Sequence, residues 1–320
     1  MSTHNPLLSV TIITGFLGAG KTTLLQNLFN STNSLRFAII ENEFGDHSID
    51  GFLLSRSDQL LFELTRGCVC CSIRNDLIEV FNSLITRRAE IDHVIIETTG
   101  LADPGPIMKI FDMPHIQKSL TMNGVVTVVD AAHLYQSLAD TSICQAQIIY
   151  ADLIMINKID TINEHEQSTI ETHLRQMNPM AHIMSTSYAQ VDTEMILNPR
   201  LYRSQLDEFH SEVSPTMSHT HHSKNMQSVA VEVEGVLNVR KLDLWLGSLV
   251  RNQEFNIVRM KGMIAISNDP RRFIFHAVRS VIDVKPDRLW EDETPWSRII
   301  FIASYLDEEY LRQGLLSCVE

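Results

Sequence analysis

The sequence predicts an α/β fold: a P-loop parallel sheet with helices on both faces, followed by a smaller α+β, ferredoxin-like C-terminal domain. Three observations predict it. Apolar, β-branched runs alternate with stretches of helical period through residues 1–185, the pattern of parallel strands joined by crossover helices. A glycine-rich sequence joins the first apolar run to the first helical stretch, as a phosphate-binding loop would. The alternation weakens over residues 198–227 and resumes from Ser228 in a different order. With 320 residues, 44% of them hydrophobic, the chain is long enough for two cores. The expected partition is a P-loop domain over residues 1–200, a linker with a His cluster over 201–227 and a C-terminal domain over 228–320.

In order along the chain, strands are expected at Val10–Thr14, Phe37–Glu41, His93–Glu97, Gly124–Asp130 and Leu153–Asn157. Each is short, apolar and rich in β-branched residues. Helices are expected at Lys21–Asn30, Ser72–Arg87, Ser142–Tyr150 and Asn163–Met177, where apolar residues recur every three or four positions. The stretch LLFELTRGCVCCSIRNDLIEV reads as strand, turn and helix. In the second domain SVAVEVEG alternates like a strand and VRKLDLWLGSLV is an amphipathic helix. NIVRMKGMIAIS, RRFIFHAVRS and SRIIFIAS read as further strands, and LDEEYLRQGLL as a last helix.

Composition excludes some partners. The net charge of −13 argues against sequence-independent nucleic-acid binding and against anionic membrane surfaces, both of which need clustered Lys and Arg. No apolar run reaches the roughly 20 residues that span a bilayer. The N-terminal stretch has no basic region before its apolar run, so it reads as a strand rather than a signal peptide. Five cysteines, three of them bunched, form no disulfide framework. A reducing, cytoplasmic setting is expected.

The phosphate loop is Gly15-Phe16-Leu17-Gly18-Ala19-Gly20-Lys21-Thr22, which fits G-x-x-x-x-G-K-[ST] between a strand and a helix. Gly15, Gly18, Ala19 and Gly20 let backbone N–H groups converge on phosphate oxygens. Lys21 reaches the β/γ-phosphates, Thr22 offers its hydroxyl to Mg²⁺, and Thr23 follows in the same helical turn. Phe16 stands where some related ATPases carry an extra lysine used across a dimer, so that class is set aside.

Asn157-Lys158-Ile159-Asp160 ends an apolar strand and fits N-K-x-D. Guanine presents N1–H and N2–H₂ as adjacent donors, and one carboxylate can accept both. Adenine has an acceptor at N1 and cannot make that pair. Asp160 is therefore the guanine reader, Lys158 packs along the base, and Asn157 ties this loop to the phosphate loop. GTP is the expected nucleotide.

HVIIETTGLADPGP puts Glu97 at a strand end before Thr98, Thr99 and Gly100. Glu97 would hold Mg²⁺ through water, and the Gly100 N–H would contact the γ-phosphate. AIIENEFGDHSID places Glu41, Glu43, Asp46, His47 and Asp50 after the second strand, where α/β folds bind ligands. No water-orienting glutamine or arginine finger is assigned, so slow intrinsic hydrolysis is expected.

Cys68, Cys70 and Cys71 lie in TRGCVCCSIRN. Cys71 opens a helix, and a helix N-terminus favours thiolate. Two or three thiolates with a carboxylate or imidazole suit Zn²⁺. A closed structural site wants a fourth ligand, and C-x-C-C lacks the second pair, so the set fits a site that opens and releases. Buried small side chains, a redox pair and a structural zinc are the alternatives. His219, His221 and His222 read as a weak metal-capture cluster or a solvated linker. Cys144, Cys318 and the 13 methionines read as core.

TGFLGAGKTTLL, ENEFGD, GCVCC, ETTGLADPGP and NKID occur in the order found in CobW-type P-loop GTPases, and over nearly its whole length the chain resembles that family. RMKGMIAI, FIFHAV, the Trp290/Trp296 region and SRIIFIA resemble the family's smaller domain, the CobW-type C-terminal domain. The resemblance implies a GTPase metallochaperone that binds Zn²⁺, or Co²⁺ or Ni²⁺, and inserts it into a client protein. It implies metal ligands at Cys68, Cys70 and Cys71, with Glu41 and Asp46 as switch carboxylates. The long His tail of the family is absent, leaving only HTHH. Two other readings stay open: a zinc-responsive buffering protein with a regulatory GTP site, and a thiol redox switch. A homo-oligomer is a further open partner.

Overall fold

In the computed structural model, the described residues are 7–32, 35–41, 60–63, 72–198, 227–251, 255, 257–278, 281–303 and 305–320. Asp46, Cys68, Cys70, Cys71, the His219–His222 cluster and all of the 201–227 linker except Gln227 lie outside them. The chain forms two compact units, Met1–Leu206 and Asp207–Glu320.

The first unit is built on a seven-stranded sheet in the order β3-β2-β4-β1-β5-β6-β7. Its strands are β1 (Leu8–Thr14), β2 (Phe37–Glu41), β3 (Leu60–Glu63), β4 (His93–Glu97), β5 (Leu120–Asp130), β6 (Leu153–Asn157) and β7 (His182–Ser185). Every pairing is parallel. The helices are α1 (Lys21–Ser31), α2 (Ser72–Thr86), α3 (Gly105–Met108), α4 (Pro114–Gln117), α5 (Leu134–Asp140), α6 (Ser142–Tyr150), α7 (Glu164–Met177) and α8 (Thr193–Leu197). β2 and β6 are buried at every position, and β1 at all but Ser9. That explains why these strands read as continuous apolar runs rather than alternating ones. One core packs Leu24, Leu25 and Leu28 of α1 on Ile13, Ile39 and Ile95. Another packs Ile148 of α6 and Leu174 of α7 on Ile154 and Ile156.

Two strands are more than the sequence announces. β5 begins at Leu120: Val10 pairs with Met122 and Thr11 with Gly124, so Asn123 is an extra residue that the strand continues through. β7 is a four-residue edge strand of intermediate burial, too short and too mixed to carry a periodic signal.

One interior polar pair in this unit has a measurable consequence. Thr11 and His93 share a hydrogen bond of 2.8 Å between adjacent strands, and the ring meets Phe37 edge-on. Burial pushes the His93 imidazole down from 6.5 to about 4. Between those values the unfolded chain binds a proton that the folded one refuses, so stability falls as pH drops through that window. The loss from pH 7 to pH 5 is about 2 kcal/mol. Urea unfolding at both pH values should show it, and His93→Gln should flatten the slope. An unchanged slope in that variant would place the acid sensitivity elsewhere.

The second unit has a five-stranded antiparallel sheet in the order β11-β10-β9-β12-β8. Its elements are β8 (Gln227–Glu234), α9 (Val239–Arg251), β9 (Ile257–Ala265), β10 (Arg271–Val278), β11 (Val281–Leu289), β12 (Trp296–Ala303) and α10 (Glu308–Leu316). β8, α9 and β9 form a split β–α–β unit with β12 between the two strands, the core of a ferredoxin-like sandwich. The β9-β10-β11 meander extends that core, and α10 follows the last strand. Leu242, Leu246 and Leu249 of α9 and Leu311 and Leu315 of α10 pack on Val231, Phe275 and Phe301, so both helices cover one face. β11 escapes a sequence reading because it carries Lys285, Pro286 and Asp287. An edge strand tolerates them, since one side of its ladder is unpaired.

Among the described residues no helix is long and apolar enough to cross a membrane.

Candidate functional site

Strand order brings the motifs to one edge of the sheet. β1 lies between β4 and β5, so the loop that leaves it emerges between two neighbours that also end in polar residues. Such a carboxyl edge is where α/β sheets bind ligands.

Gly15, Gly18 and Gly20 all have positive φ, at 139°, 74° and 109°. At Gly15 a Cβ would fall on the Val128 carbonyl oxygen, and at Gly20 on the Asn157 amide nitrogen. The chain therefore passes directly over β5 and under the β6 loop. α1 starts with Gly20 as its N-cap, with no side-chain cap and no acidic residue in its first turn. Its first N–H groups and the positive end of its dipole are available to an anion. The Lys21 ammonium is buried and donates to the carbonyl oxygens of Gly15 at 2.8 Å and Phe16 at 3.2 Å. Thr22 is half-buried and Thr23 exposed beside it.

Asn157 joins the two nucleotide motifs. Its side chain is 2% exposed; its Nδ2 donates to the Ala19 carbonyl at 2.9 Å and its Oδ1 accepts from the Ala189 N–H at 2.9 Å. One side chain thereby fixes the phosphate loop, the β6 loop and the 187–189 turn. Lys158 adopts a left-handed conformation, φ 63°, and its ammonium meets Asp130 Oδ2 at 2.7 Å. Burial opposes ionisation of Asp130, but hydrogen bonds from Lys158 and His133 outweigh it and hold the carboxyl below its usual range. Asp160 is exposed in the short turn Ile159–Thr161.

Acidic residues align on the other side of β1. Glu63, Glu41 and Glu97 are register partners across β3, β2 and β4. Glu41 is only 4% exposed. After Glu97 the chain stays attached to β1: the Thr98 N–H donates to the Ile13 carbonyl, and its hydroxyl to Thr14 Oγ1 at 2.7 Å. Gly100 then lies against the phosphate loop, where a Cβ would stand 2.5 Å from the Leu17 nitrogen.

The structure thus gathers Gly15 to Thr23, Glu41, Glu97, Gly100 and Asn157 to Asp160 at one sheet edge. Asp46, Cys68, Cys70 and Cys71 lie outside the described residues, and no cluster of three or more metal-binding side chains is found among those described. A sequence reading missed Asp130 and Gln147. Asp130 ends a buried strand as Glu97 does, and that shared position was the available signal. Gln147 sits inside a helix with no motif around it.

The sequence profile of the CobW/HypB/UreG nucleotide-binding domain matches residues 9–185, and that of the cobalamin synthesis protein CobW C-terminal domain matches residues 226–319. The chain is 33% identical over 315 residues to the zinc chaperone YjiA of Escherichia coli, covering 96% of this chain and 97% of that protein. It is 28% identical over 361 residues to zinc-regulated GTPase metalloprotein activator 1 of Saccharomyces cerevisiae, covering 97% of this chain and 83% of the relative. The crystal structure of Zn(II)-bound YjiA GTPase from E. coli superposes with a TM-score of 0.70 at 27% identity, over 99% of this chain and all of that one. With both profiles matched in order, the chain belongs to the CobW/HypB/UreG family and carries the CobW C-terminal domain.

Proposed function

We propose that this protein is a cytoplasmic GTP-hydrolysing metallochaperone, which binds Zn²⁺ as its cargo and couples the state of the bound nucleotide to delivery of that ion to a client protein. The chain is a GTPase by its fold and family. The Asn157 bridge carries the nucleotide reading: it ties an N-K-x-D turn to a phosphate loop, the two elements that one guanine nucleotide would touch. Residues 1–200 form the GTPase domain, 201–227 the linker carrying the His cluster, and 228–320 the CobW-type C-terminal domain.

The residues divide the work as follows. Gly15, Gly18, Ala19, Gly20 and the first turn of α1 bind the phosphates, and Lys21 leaves its two carbonyl partners to neutralise them. Lys158 lies along the base and Asp160 reads its N1–H and N2–H₂ edge. Thr22 and Glu97 supply the hard oxygen donors that fit Mg²⁺, which when bound neutralises charge developing on the phosphates. The Gly100 N–H faces the terminal phosphate. The cargo site combines Cys68, Cys70 and Cys71 with Glu41 and Asp46. Soft thiolates select Zn²⁺, with Co²⁺ and Ni²⁺ as alternative cargoes. Glu41, already buried beside Glu97 at the edge that binds the nucleotide, gives the two ligands a shared wall. Coupling between them of about 1–3 kcal/mol corresponds to a shift of roughly 5- to 150-fold in metal affinity.

Zn²⁺ affinity measured by chelator competition should therefore differ between protein bound to GDP and protein bound to a non-hydrolysable GTP analogue. The difference should vanish in a Cys68/Cys70/Cys71→Ser protein. Equal affinities in both nucleotide states would separate the metal site from the GTPase cycle. Undiminished binding in the triple variant would move the site away from the cysteines.

A further inference from the structure

Gln147 is a buried polar residue that no motif accounts for. It lies in α6 and is 1% exposed. Its Nε2 donates to two backbone carbonyls of the segment after β4, Gly100 at 3.2 Å and Ala102 at 3.0 Å. Its own backbone carbonyl accepts from the Thr127 hydroxyl at 2.6 Å, which fixes that turn of α6 to β5. Its Oε1 is buried with no hydrogen-bond partner among the described residues. A buried acceptor left unsatisfied costs about 1–3 kcal/mol, and an apolar side chain of the same shape would avoid that cost. Packing alone therefore does not explain a glutamine here; its two N–H donors do.

Those donors hold one short stretch of chain. Gly100 is confined between Gln147 on its carbonyl side and Leu17 of the phosphate loop, where no Cβ fits. The Thr98 contacts with Ile13 and Thr14 fix the strand end just before it. Beyond Ala102, the Asp103 carboxylate accepts from the Gly105 N–H at 2.8 Å. Between these anchors, among the described residues, Gln147 is the side chain whose hydrogen bonds hold the Gly100 and Ala102 carbonyls. Displacing a reacting or stabilising group by about 1 Å can cost roughly 100-fold in rate.

We infer that Gln147 is a positioning residue for GTP hydrolysis: from inside the domain its amide holds the Gly100–Ala102 carbonyls so that the Gly100 N–H is presented to the terminal phosphate. The inference rests on the assignment of Gly100 to that contact.

The test uses the full chain with GTP and Mg²⁺, comparing Q147M, Q147E and G100A with the parent protein. Met keeps the shape of Gln and removes both donors. In Q147M, kcat is expected to fall by about 10- to 100-fold, while GDP affinity stays within about twofold and the preference for a non-hydrolysable GTP analogue over GDP shrinks. Glu at this position repels both carbonyls when ionised but regains one O–H donor when protonated. The kcat of Q147E is therefore expected to recover relative to the parent as pH is lowered from 8 towards 5.5, and urea unfolding at each pH separates recovery of the contact from relief of a buried charge. If Q147M does not fold, the pH profile of Q147E decides alone. Parent-like kcat in Q147M, or a Q147E profile parallel to the parent's, overturns the role of Gln147 while G100A stays impaired. Parent-like hydrolysis in G100A overturns the Gly100 assignment and the inference with it.

Discussion

Replacing Asp160 by Asn is expected to weaken GTP binding by about 10²- to 10⁴-fold and to transfer affinity to xanthosine triphosphate. The range follows from two hydrogen bonds to a charged acceptor, each contributing about 1.5–3 kcal/mol. Guanine offers two donors on one edge, and an amide can match only one of them. Xanthine keeps N1–H and replaces N2–H₂ with a carbonyl oxygen, so an Asn can accept from the first and donate to the second. Asp160 is exposed in a turn held by Asn157 and Lys158, so the exchange should leave the fold unchanged. Competitive displacement of a fluorescent nucleotide by GTP and by xanthosine triphosphate gives both numbers. Parent-like affinities for both nucleotides in D160N would remove Asp160 from the base site.

Gly15→Ala is expected to be the most damaging single-atom-scale change in the phosphate loop. At φ 139° an L residue is strained whatever the space. Its Cβ would also land on the Val128 carbonyl oxygen, with Val128 C and N both at 3.0 Å. These are backbone atoms of the buried Gly124–Val129 stretch of β5, an interior strand of the sheet, and cannot move aside. A loss of about 3 kcal/mol or more in stability, with GTP affinity down by at least about 100-fold, is the expected result. Gly18→Ala makes the internal comparison. Gly18 also has positive φ, 74°, but a Cβ there meets nothing within 4 Å, so its cost is confined to backbone strain of about 1–2 kcal/mol. Urea midpoints and GTP affinities of the two variants measure the difference. Equal losses would show that the close approach to β5 is not what makes Gly15 necessary.

The nucleotide motifs were legible because they are local. This phosphate loop shows three glycines, a lysine and a hydroxyl within eight residues. A guanine reader needs four residues at a strand end. Composition and spacing can display both, and the central strands announced themselves because burial on two faces leaves continuous apolar runs. β7 and β11 did not: an edge strand is only partly buried, and its residues answer to solvent as much as to the core.

By itself, then, the sequence nominated side chains for phosphate, guanine and zinc, and put the phosphate and guanine candidates at strand ends. Only the tertiary structure decided which of them meet. Asn157 reaches Ala19 across 138 residues, because β5 alone separates β6 from β1. Glu41 stands beside Glu97 because β2 and β4 pair in register. Asp130 holds Lys158, and Gln147 holds the chain beyond Gly100, through contacts with no periodicity and no fixed spacing. The physical reason is one of range. Backbone and side-chain preferences act over a few residues and leave their mark in the sequence, whereas strand order and register set the contacts between distant segments and are fixed only when the whole sheet has packed.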